Sequence, residues 1–437
     1  MSPARRRSKS SSLTSTGSAL LSFDEAAELV AAYAAKLRRV RPDVEHVLLS
    51  HALGRVLGKP LRADADQPSF ARSTRDGFAC RAAEISTHRP VAVVGSTRAG
   101  QSPSGSLPRG AVWEIMTGAP VPAGADAVAM LEHVKEVGAS SARAIHLLPP
   151  RIIRHSENIV ARGAQARKGD ELLPVGSLIT SAQIALAASC GLTALGVFLK
   201  PRVAILSTGD ELVPIGSSPG PSQIRNSSSV MLSAMVSAAG GDPWILPIAR
   251  DTAKSLDAAL ARAAVADLLL ITGGVSAGKF DLVEPALARA GARFHFTGVR
   301  IQPGKPLVFG EIPIKRTKAD PKLRRTKCFF GLPGNPVSSA VTFLLFGAPV
   351  VAALAGRRDL GPRFALARLA GDVKTKTGLT RFLPAACTFA GAAPEVALVS
   401  WQGSSDLAAM AGANCFLVVP ESADRLRAGS TVRILLP

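Results

Sequence analysis

"CFFGLPGNPVSSAVTF", Cys328 to Phe343, places two prolines, three glycine-or-asparagine breakers and a run of small polar residues between an apolar stretch and a helix-like one. An ordinary strand-to-helix turn needs one or two such residues. Pro333 and Pro336 stiffen the segment and set its approach to the helix. Gly331 and Gly334 permit unusual backbone angles or close approach of another group. Asn335 and Ser338 then supply polar groups at the helix start. The plain alternative is a rigid turn with proline in the first helical turn. The neighbouring sequence decides between the two.

Upstream, residues 201–356 alternate between apolar strand-like and helix-like stretches. "RVAILSTG", "PWILPIA", "DLLLITGG", "FHFTGVRI", "PLVFGEI" and "KCFFGL" read as strands. "SSSVMLSAMVSAAGG", "AKSLDAALARAAV", "DLVEPALARAG" and "VSSAVTFLLFGAPVVAALAG" read as helices. Apolar strands alternating with helices predict a parallel sheet covered on both faces, an α/β/α domain. Ligands of such sheets bind at the carboxyl ends of the strands. Three loops there carry glycines and hydroxyls: "STGDEL" (Ser207–Leu212), "TGGVSAGKFD" (Thr272–Asp281) and "GLPGNPVSS". Glycines let backbone come close to a ligand, and helix N-termini offer free N–H groups to an anion.

Carboxylates accompany these loops: Asp210, Glu211, Asp251 and Asp281. A carboxylate about 4 Å from a phosphate oxygen costs roughly 4 kcal/mol at an effective dielectric of 20. Acid and anion therefore share a pocket only with a cation between them, and Mg²⁺ is the usual one. The alternative is that Asp210 and Glu211 merely cap their loop. Gly273, Gly278 and Lys279 also fit the start of a P-loop, but the next residue must be Ser or Thr and is Phe280.

The flanks differ in texture. Residues 19–59 and 164–200 read as one helical domain; helical periodicity is read over 22–58 and again over 178–192, ending at Gly191. Ser22 and Glu25 have capping-box spacing. Residues 60–163 show short β-like runs broken by Pro and Gly, a β-rich domain inserted in the helical one. Residues 357–437 predict a small β-barrel-like domain, and residues 1–18 a basic, Ser-rich solvated tail. No membrane span is expected, from the reading that no run of about 18 uncharged apolar residues occurs. The five cysteines form no CxxC, which argues for a reduced compartment and a cytoplasmic protein. Cys80, Cys190 and Cys387 read as buried small hydrophobes, and His155 as a surface residue.

Net charge is +20, from 52 basic and 32 acidic residues. It concentrates in the tail and in "IKRTKADPKLRRTK", Ile314–Lys327. Aromatics are only 5%, which leaves no stacking platform for single strands. The excess charge reads as solubilising surface, with no specific nucleic-acid partner.

These motifs resemble the molybdopterin-binding domain of molybdopterin molybdenumtransferases, the gephyrin carboxy-terminal-domain family. "QPGKP", residues 302–306, joins the three loops in that resemblance. So do "STRDGFA" (Ser73–Ala79), "IMTGAPVPAGADAV" (Ile115–Val128), "ENIVARG" and "QGSSDLAAMAGANCFLVVP". The likeness spans roughly residues 20–437. It implies a four-domain homodimer that inserts molybdate into adenylylated molybdopterin with Mg²⁺, releasing AMP. In that family the pocket lies between one subunit's α/β domain and the partner's inserted β domain. The resemblance makes Asp76, Glu211, Asp281 and Lys305 the catalytic group. It adds Thr117, Arg162, Ser338 and Ser404 as pocket-lining positions. The loop reading itself makes Asp210, Glu211, Asp251 and Asp281 the metal candidates and Ser207, Thr208, Gly209, Gly273, Gly274, Ser276, Gly304, Pro333, Gly334, Asn335 and Pro336 further ligand-binding candidates. A molybdopterin adenylyltransferase is an expected partner. Three positions depart from the family pattern: Gln302 for Lys, Gln165 for an acid and Arg75 for Met. The alternatives are an adenylyltransferase acting one step earlier and a non-catalytic scaffold. The domains on either side of the α/β unit argue against the first, and the loop carboxylates against the second.

Overall fold

The computed structural model describes residues 20–40, 42–138, 142–275, 282–313, 326–391 and 393–437. The expectations on the basic tail, on Ser276, Lys279 and Asp281, and on most of the basic 314–327 stretch lie outside the described residues.

The first helix, Phe23–Leu37, starts where expected. Ser22 Oγ accepts from the Glu25 amide while the Glu25 carboxylate accepts from the Ser22 amide, a closed capping box. The helical reading of 22–58 holds only this far. Pro42 has no N–H to give a continuing helix, and Val44–Leu48 is a strand paired antiparallel with Ala194–Phe198. The helix also lies elsewhere than expected. Its buried face, Phe23, Ala26 and Val30, joins the main α/β core rather than a helical domain of its own. The helix read over 178–192 spans Ser181–Ser189, with Gly191 at φ +71° just beyond it.

The inserted domain is a six-stranded sheet. Its order is Ala127–Met130, Gly77–Cys80, Ala111–Ile115, Val91–Thr97, Ala144–Leu147 and Val134–Val137. Phe78, Val112 and Ile145 fill one of its cores.

The α/β domain carries a second six-stranded sheet, ordered Asp242–Ile245, Arg202–Ser207, Leu268–Thr272, Thr326–Leu332, Val308–Pro313, Arg293–Phe296. The first four run parallel, as expected. Val308–Pro313 runs antiparallel to both its neighbours. Alternate side chains serve opposite faces. Val203, Ile205, Leu268 and Leu270 meet the helices Phe23–Leu37, Ser227–Ala238 and Pro336–Leu354. Ala204, Leu206, Leu269 and Ile271 meet Ala253–Arg262 and Val283–Arg289. Phe330, Phe309 and Phe346 are fully buried, each contributing about 1.5–3 kcal/mol by leaving water.

Pro336–Leu354 corrects the reading that no long uncharged apolar run occurs: the 19-residue helix, mean hydropathy 2.0, is long and apolar enough to cross a membrane, but 89% of its 18-residue apolar window is buried in protein, as in a core helix. It is the central core helix, widened by a π-turn at Phe343–Gly347. Pro349 cannot donate to Leu345, which accounts for the break in the regular ladder.

The C-terminal strands Thr380–Thr388, Glu395–Leu398, Arg363–Leu369, Thr431–Leu436 and Cys415–Val419 pair in that order and close on Thr380–Thr388 again, a five-stranded barrel. Val396, Leu417 and Ile434 fill it. Phe382, Phe416 and Leu435 face outward into the α/β core and dock the barrel there. All five cysteines are buried thiols outside any disulfide; burial pushes the Cys80 thiol up to about 12.

Candidate functional site

The three glycine loops converge at the carboxyl edge of the parallel strands. The Thr208 amide donates to the Thr272 carbonyl at 2.9 Å and the Gly273 amide to the Leu332 carbonyl at 3.3 Å. This stitches all three strand ends together. Gly273 (φ +87°) and Gly274 (φ +64°) have left-handed backbone. A Cβ on Gly273 would lie 2.6 Å from the Thr208 carbonyl oxygen, so only glycine fits there, whereas one on Gly334 would lie 3.5 Å from Gly273 Cα, an ordinary contact.

The opening stretch divides differently from its sequence reading. Gly331 and Leu332 belong to the strand, and the turn is Pro333–Asn335. The Pro333 carbonyl accepts from Ser339 Oγ, and the Gly334 carbonyl from Ser228 Oγ at 3.4 Å. Asn335 is the helix N-cap and Pro336 the first helical residue. Rather than capping its own helix, Asn335 Nδ2 donates to Ser404 Oγ at 2.8 Å, while the Ser404 carbonyl accepts from the Val337 amide at 3.0 Å. Ser404 thus brings the barrel domain to the sheet edge. Ser338 is buried beside them.

The hydroxyls of the first loop have separate fates. Ser207 Oγ donates to Asn226 Oδ1 at 3.1 Å and accepts from Thr272 Oγ1 at 3.1 Å. Asn226 in turn caps Ser227–Ala238 through the Ser229 amide. The Ser207 hydroxyl is therefore spent on architecture. Thr208 is 3% exposed, and its Oγ1 has no hydrogen-bond partner among the described residues. That oxygen would lie 3.0 Å from a Cβ on Gly274 and 3.3 Å from one on Gly273. An orphaned buried hydroxyl costs about 1–3 kcal/mol.

Among the described residues the acids do not gather as one cluster. Asp210 pairs with Arg250 at 3.6 Å, and its amide donates to Asp251 Oδ2 at 3.3 Å. Glu211 folds over Gly209, whose notional Cβ would meet Glu211 Oε2 at 2.3 Å. Among the described residues no three His, Cys, Asp or Glu side chains group closely enough to cage a metal.

Lys305 is exposed on the loop after Arg293–Phe296, whose strand direction brings that loop to the same edge. Gly304 (φ +118°) presses against Thr342; its Cβ would sit 2.5 Å from Thr342 Cγ2. Ile301–Gln302 pairs with Thr380–Arg381 of the barrel.

Asp76, Thr117 and Arg162 are in the inserted domain, and among the described residues no hydrogen bond joins them to the sheet edge. Asp76 Oδ1 accepts from the Thr117 amide at 2.6 Å and from Thr117 Oγ1 at 2.9 Å. These bonds, the amide first, hold its carboxyl below the usual range. Arg162 pairs with Asp66 at 2.8 Å.

Sequence reasoning missed Asn226, Thr272 and Arg381. Asn before "SSSV" is an N-cap signal and was available. Nothing local marks Arg381, which reaches the Lys305 loop from a strand of another domain.

Three family models match consecutive stretches of the chain. They are the MoeA N-terminal region (domains I and II) over residues 21–191, the "probable molybdopterin binding domain" over 204–353, and the MoeA C-terminal region (domain IV) over 366–436. A Bacillus subtilis protein named molybdopterin molybdenumtransferase is 32% identical over 400 residues, covering 90% of each chain. A Haemophilus influenzae protein of the same name is 30% identical, over 89% of this chain and 93% of that one. A solved structure, the molybdopterin biosynthesis moeA protein of Pyrococcus horikoshii, superposes with TM-score 0.76 at 26% identity, covering 96% of this chain and all of that one.

Proposed function

Because this chain belongs to the molybdopterin molybdenumtransferase family, we propose that it acts in molybdenum cofactor biosynthesis as the transferase that inserts molybdate into adenylylated molybdopterin, releasing AMP. The observation that carries this reading is the Thr208 hydroxyl, buried and without a partner among the described residues where three glycine loops meet. Left-handed glycines and an unspent hydroxyl suit an anionic group that comes close to backbone.

Each residue then has a task. Gly273, Gly274 and Gly334 admit the phosphates without side-chain clash, and Thr208 donates to a phosphate oxygen. Asn335 and Ser404 hold the barrel edge over the ligand. Lys305 offsets negative charge on molybdate or phosphate. Attack by water on the pterin-side phosphorus breaks the phosphoanhydride P–O bond: AMP leaves with the bonding electron pair, the water oxygen stays on the pterin phosphate and its proton passes to solvent. Molybdate exchanges one oxygen for the two pterin dithiol sulfurs, two Mo–S bonds forming as that oxygen leaves as water with the two thiol protons, with no change of oxidation state. No protein nucleophile is required.

The donor set suits Mg²⁺: hard carboxylate oxygens, no thiolate or imidazole, and no ready-made cage among the described residues. That fits an ion that keeps waters and substrate oxygens in its shell. Glu211, together with Asp281, would hold it; Asp210 makes only an exposed 3.6 Å contact with Arg250 and Asp251 accepts one backbone bond, so both stay candidates. Bound there, it would neutralise phosphate charge in the transition state. Asp76, Thr117 and Arg162 are proposed to complete the pocket from the partner subunit of a homodimer.

The test is AMP release from adenylylated molybdopterin, with molybdate and Mg²⁺ omitted in turn. Release that needs both supports the reading. Undiminished release without molybdate would make the protein a hydrolase instead.

A further inference from the structure

The amino ends of the parallel strands lie opposite the glycine loops, and a cleft of about 610 Å³ opens there. The first helix ends at this cleft with Arg38 and Arg39. The chain re-enters the sheet past Phe198, just before Arg202 begins the first parallel strand. The core helix, which starts at the carboxyl edge, leaves for the barrel past Gly356. Three crossings between domains thus meet around one hollow, and no residue given a task in the transfer reaction lies in it. Its wall is cationic. Arg38, Arg39 and Arg358 line it, all exposed, and no carboxylate pairs with any of them among the described residues. Glu171, the acid in the same wall, is taken by Arg62 at 2.9 Å. Two of the cations are held in place. Arg38 Nη1 donates to the Arg358 carbonyl at 3.3 Å. The Arg358 stem lies against Gly176, whose notional Cβ would come 2.8 Å from Arg358 Cγ and 3.0 Å from the Gly356 carbonyl oxygen. Gly176, at φ +87°, is what lets the arginine lie so close to the turn. Val175 and Phe198 give the hollow an apolar side.

We propose that this cleft is a second anion site, separate from the glycine loops, and that it takes a phosphorylated small molecule. The phosphate or diphosphate group accepts from the guanidinia of Arg38, Arg39 and Arg358, and the organic part lies on the Val175 and Phe198 side. Guanidinium forks match phosphate oxygens two at a time. The volume is that of a small-molecule pocket, with room beyond the phosphate. Three like charges gathered in one hollow repel each other, and a bound anion relieves that repulsion. Arginines placed only to answer the negative end of the first helix would bond its last carbonyls. Arg38 instead bonds a carbonyl of the segment that leads to the barrel. An anion held between Arg38 and Arg358 therefore also ties two domain crossings together.

The probe is inorganic pyrophosphate, titrated calorimetrically into the full chain without Mg²⁺. The variants are Arg39→Gln, Arg358→Gln and Arg358→Lys. Arg109→Gln, which removes one exposed charge from the inserted domain, controls for the net charge. Thr208→Val removes the hydroxyl at the glycine loops and controls for binding there. Arg39→Gln and Arg358→Gln should each weaken pyrophosphate binding about tenfold. Arg358→Lys keeps the charge but loses the fork, and should weaken it about threefold. Arg109→Gln and Thr208→Val should change it less than about twofold. Tm without pyrophosphate, within about 2 °C of the wild type, shows that a variant is folded. Should Arg358→Gln lose its packing on Gly176 and fail that control, Arg39→Gln decides, because its side chain makes no hydrogen bond among the described residues. Equal weakening by Arg109→Gln and Arg358→Gln would mean diffuse attraction and overturn the proposal. So would weakening confined to Thr208→Val, which would put the anion at the glycine loops. Absence of binding by the wild type at about 1 mM pyrophosphate would overturn it as well. The titration reads binding and no chemistry, so its outcome stands apart from whether the protein releases AMP.

Discussion

Asn335 and Ser404, 69 residues apart, are joined by a 2.8 Å bond between the Asn amide and the Ser hydroxyl. The Ser404 carbonyl meanwhile takes the Val337 amide at the start of the core helix. The barrel domain thus contributes two bonds to the loop that opens that helix. Ser404→Ala removes only the side-chain bond. It should cost about 0.5–1.5 kcal/mol of stability in urea unfolding. Combined with Asn335→Ala, it should show a coupling of about 0.5 kcal/mol or more, because the two side chains share one bond. Strictly additive single effects would mean that the pair does not act as a contact in solution.

Gly273 and Gly169 both sit at positive φ, +87° and +91°, but differ in what surrounds them. A Cβ on Gly169 meets nothing within 4 Å, whereas one on Gly273 meets the Thr208 carbonyl at 2.6 Å. Gly169→Ala should therefore cost only the backbone strain, about 1 kcal/mol. Gly273→Ala should cost that plus displacement of the stitched loops, roughly 2–4 kcal/mol in total. It should also abolish AMP release. Equal thermal shifts in the two variants would remove the close approach from the account.

Much of this was legible in the sequence, and the reasons are local. The strands from Arg202 to Leu332 are apolar on both faces because both are covered, and their loops announce themselves by glycine. Ser22 and Glu25 mark a helix start through three bonds within four residues. What stayed hidden depends on contacts between distant segments. Phe23, Ala26 and Val30 show an apolar face but not which core it enters. Val44–Leu48 alternates weakly and becomes a strand only because Ala194–Phe198 is there to pair with. Arg381 has no neighbouring motif at all. Its contact with Gln302 crosses a domain boundary, and no periodicity reports that. Ser207 was read as ligand-binding from its place in "STGDEL", yet its hydroxyl is consumed by Asn226 and Thr272.

Lys327 is 5% exposed, and its ammonium donates to the Ala263 carbonyl at the edge of the sheet. Burial, partly offset by Asp267, pushes its pKa down to about 8 from 10.5. The folded protein therefore loses this proton at lower pH than the unfolded chain does. Between about pH 8 and 10.5 the unfolded state holds more protons, so this group makes stability rise with pH. Lys327→Met removes the cost of the buried charge. It should be more stable than the wild type at pH 7, by at most about 3 kcal/mol. The advantage should shrink as pH passes 8 and be gone near 10.5. Urea midpoints of the two proteins at pH 7, 8.5 and 10 measure this, and a pH-independent difference would refute it.

Asp76 and Glu211 provide the last prediction, on the assembly. Asp76 is tied to Thr117 within the inserted domain, while Glu211 lies over Gly209 at the sheet edge. Asp76→Asn keeps an oxygen to accept the Thr117 amide, so it should fold with Tm within about 3 °C of the wild type. Glu211→Gln is exposed enough to be equally mild. Each variant alone should release AMP at least about tenfold more slowly. If each site takes Glu211 from one subunit and Asp76 from the other, a mixed dimer holds one intact site and one doubly altered one. Unfolding and refolding the two variants together in equal amounts should then return about a quarter of wild-type activity, since half the dimers are mixed and half their sites intact. A site built from a single chain gives no recovery, because every site in every dimer would carry one of the two changes.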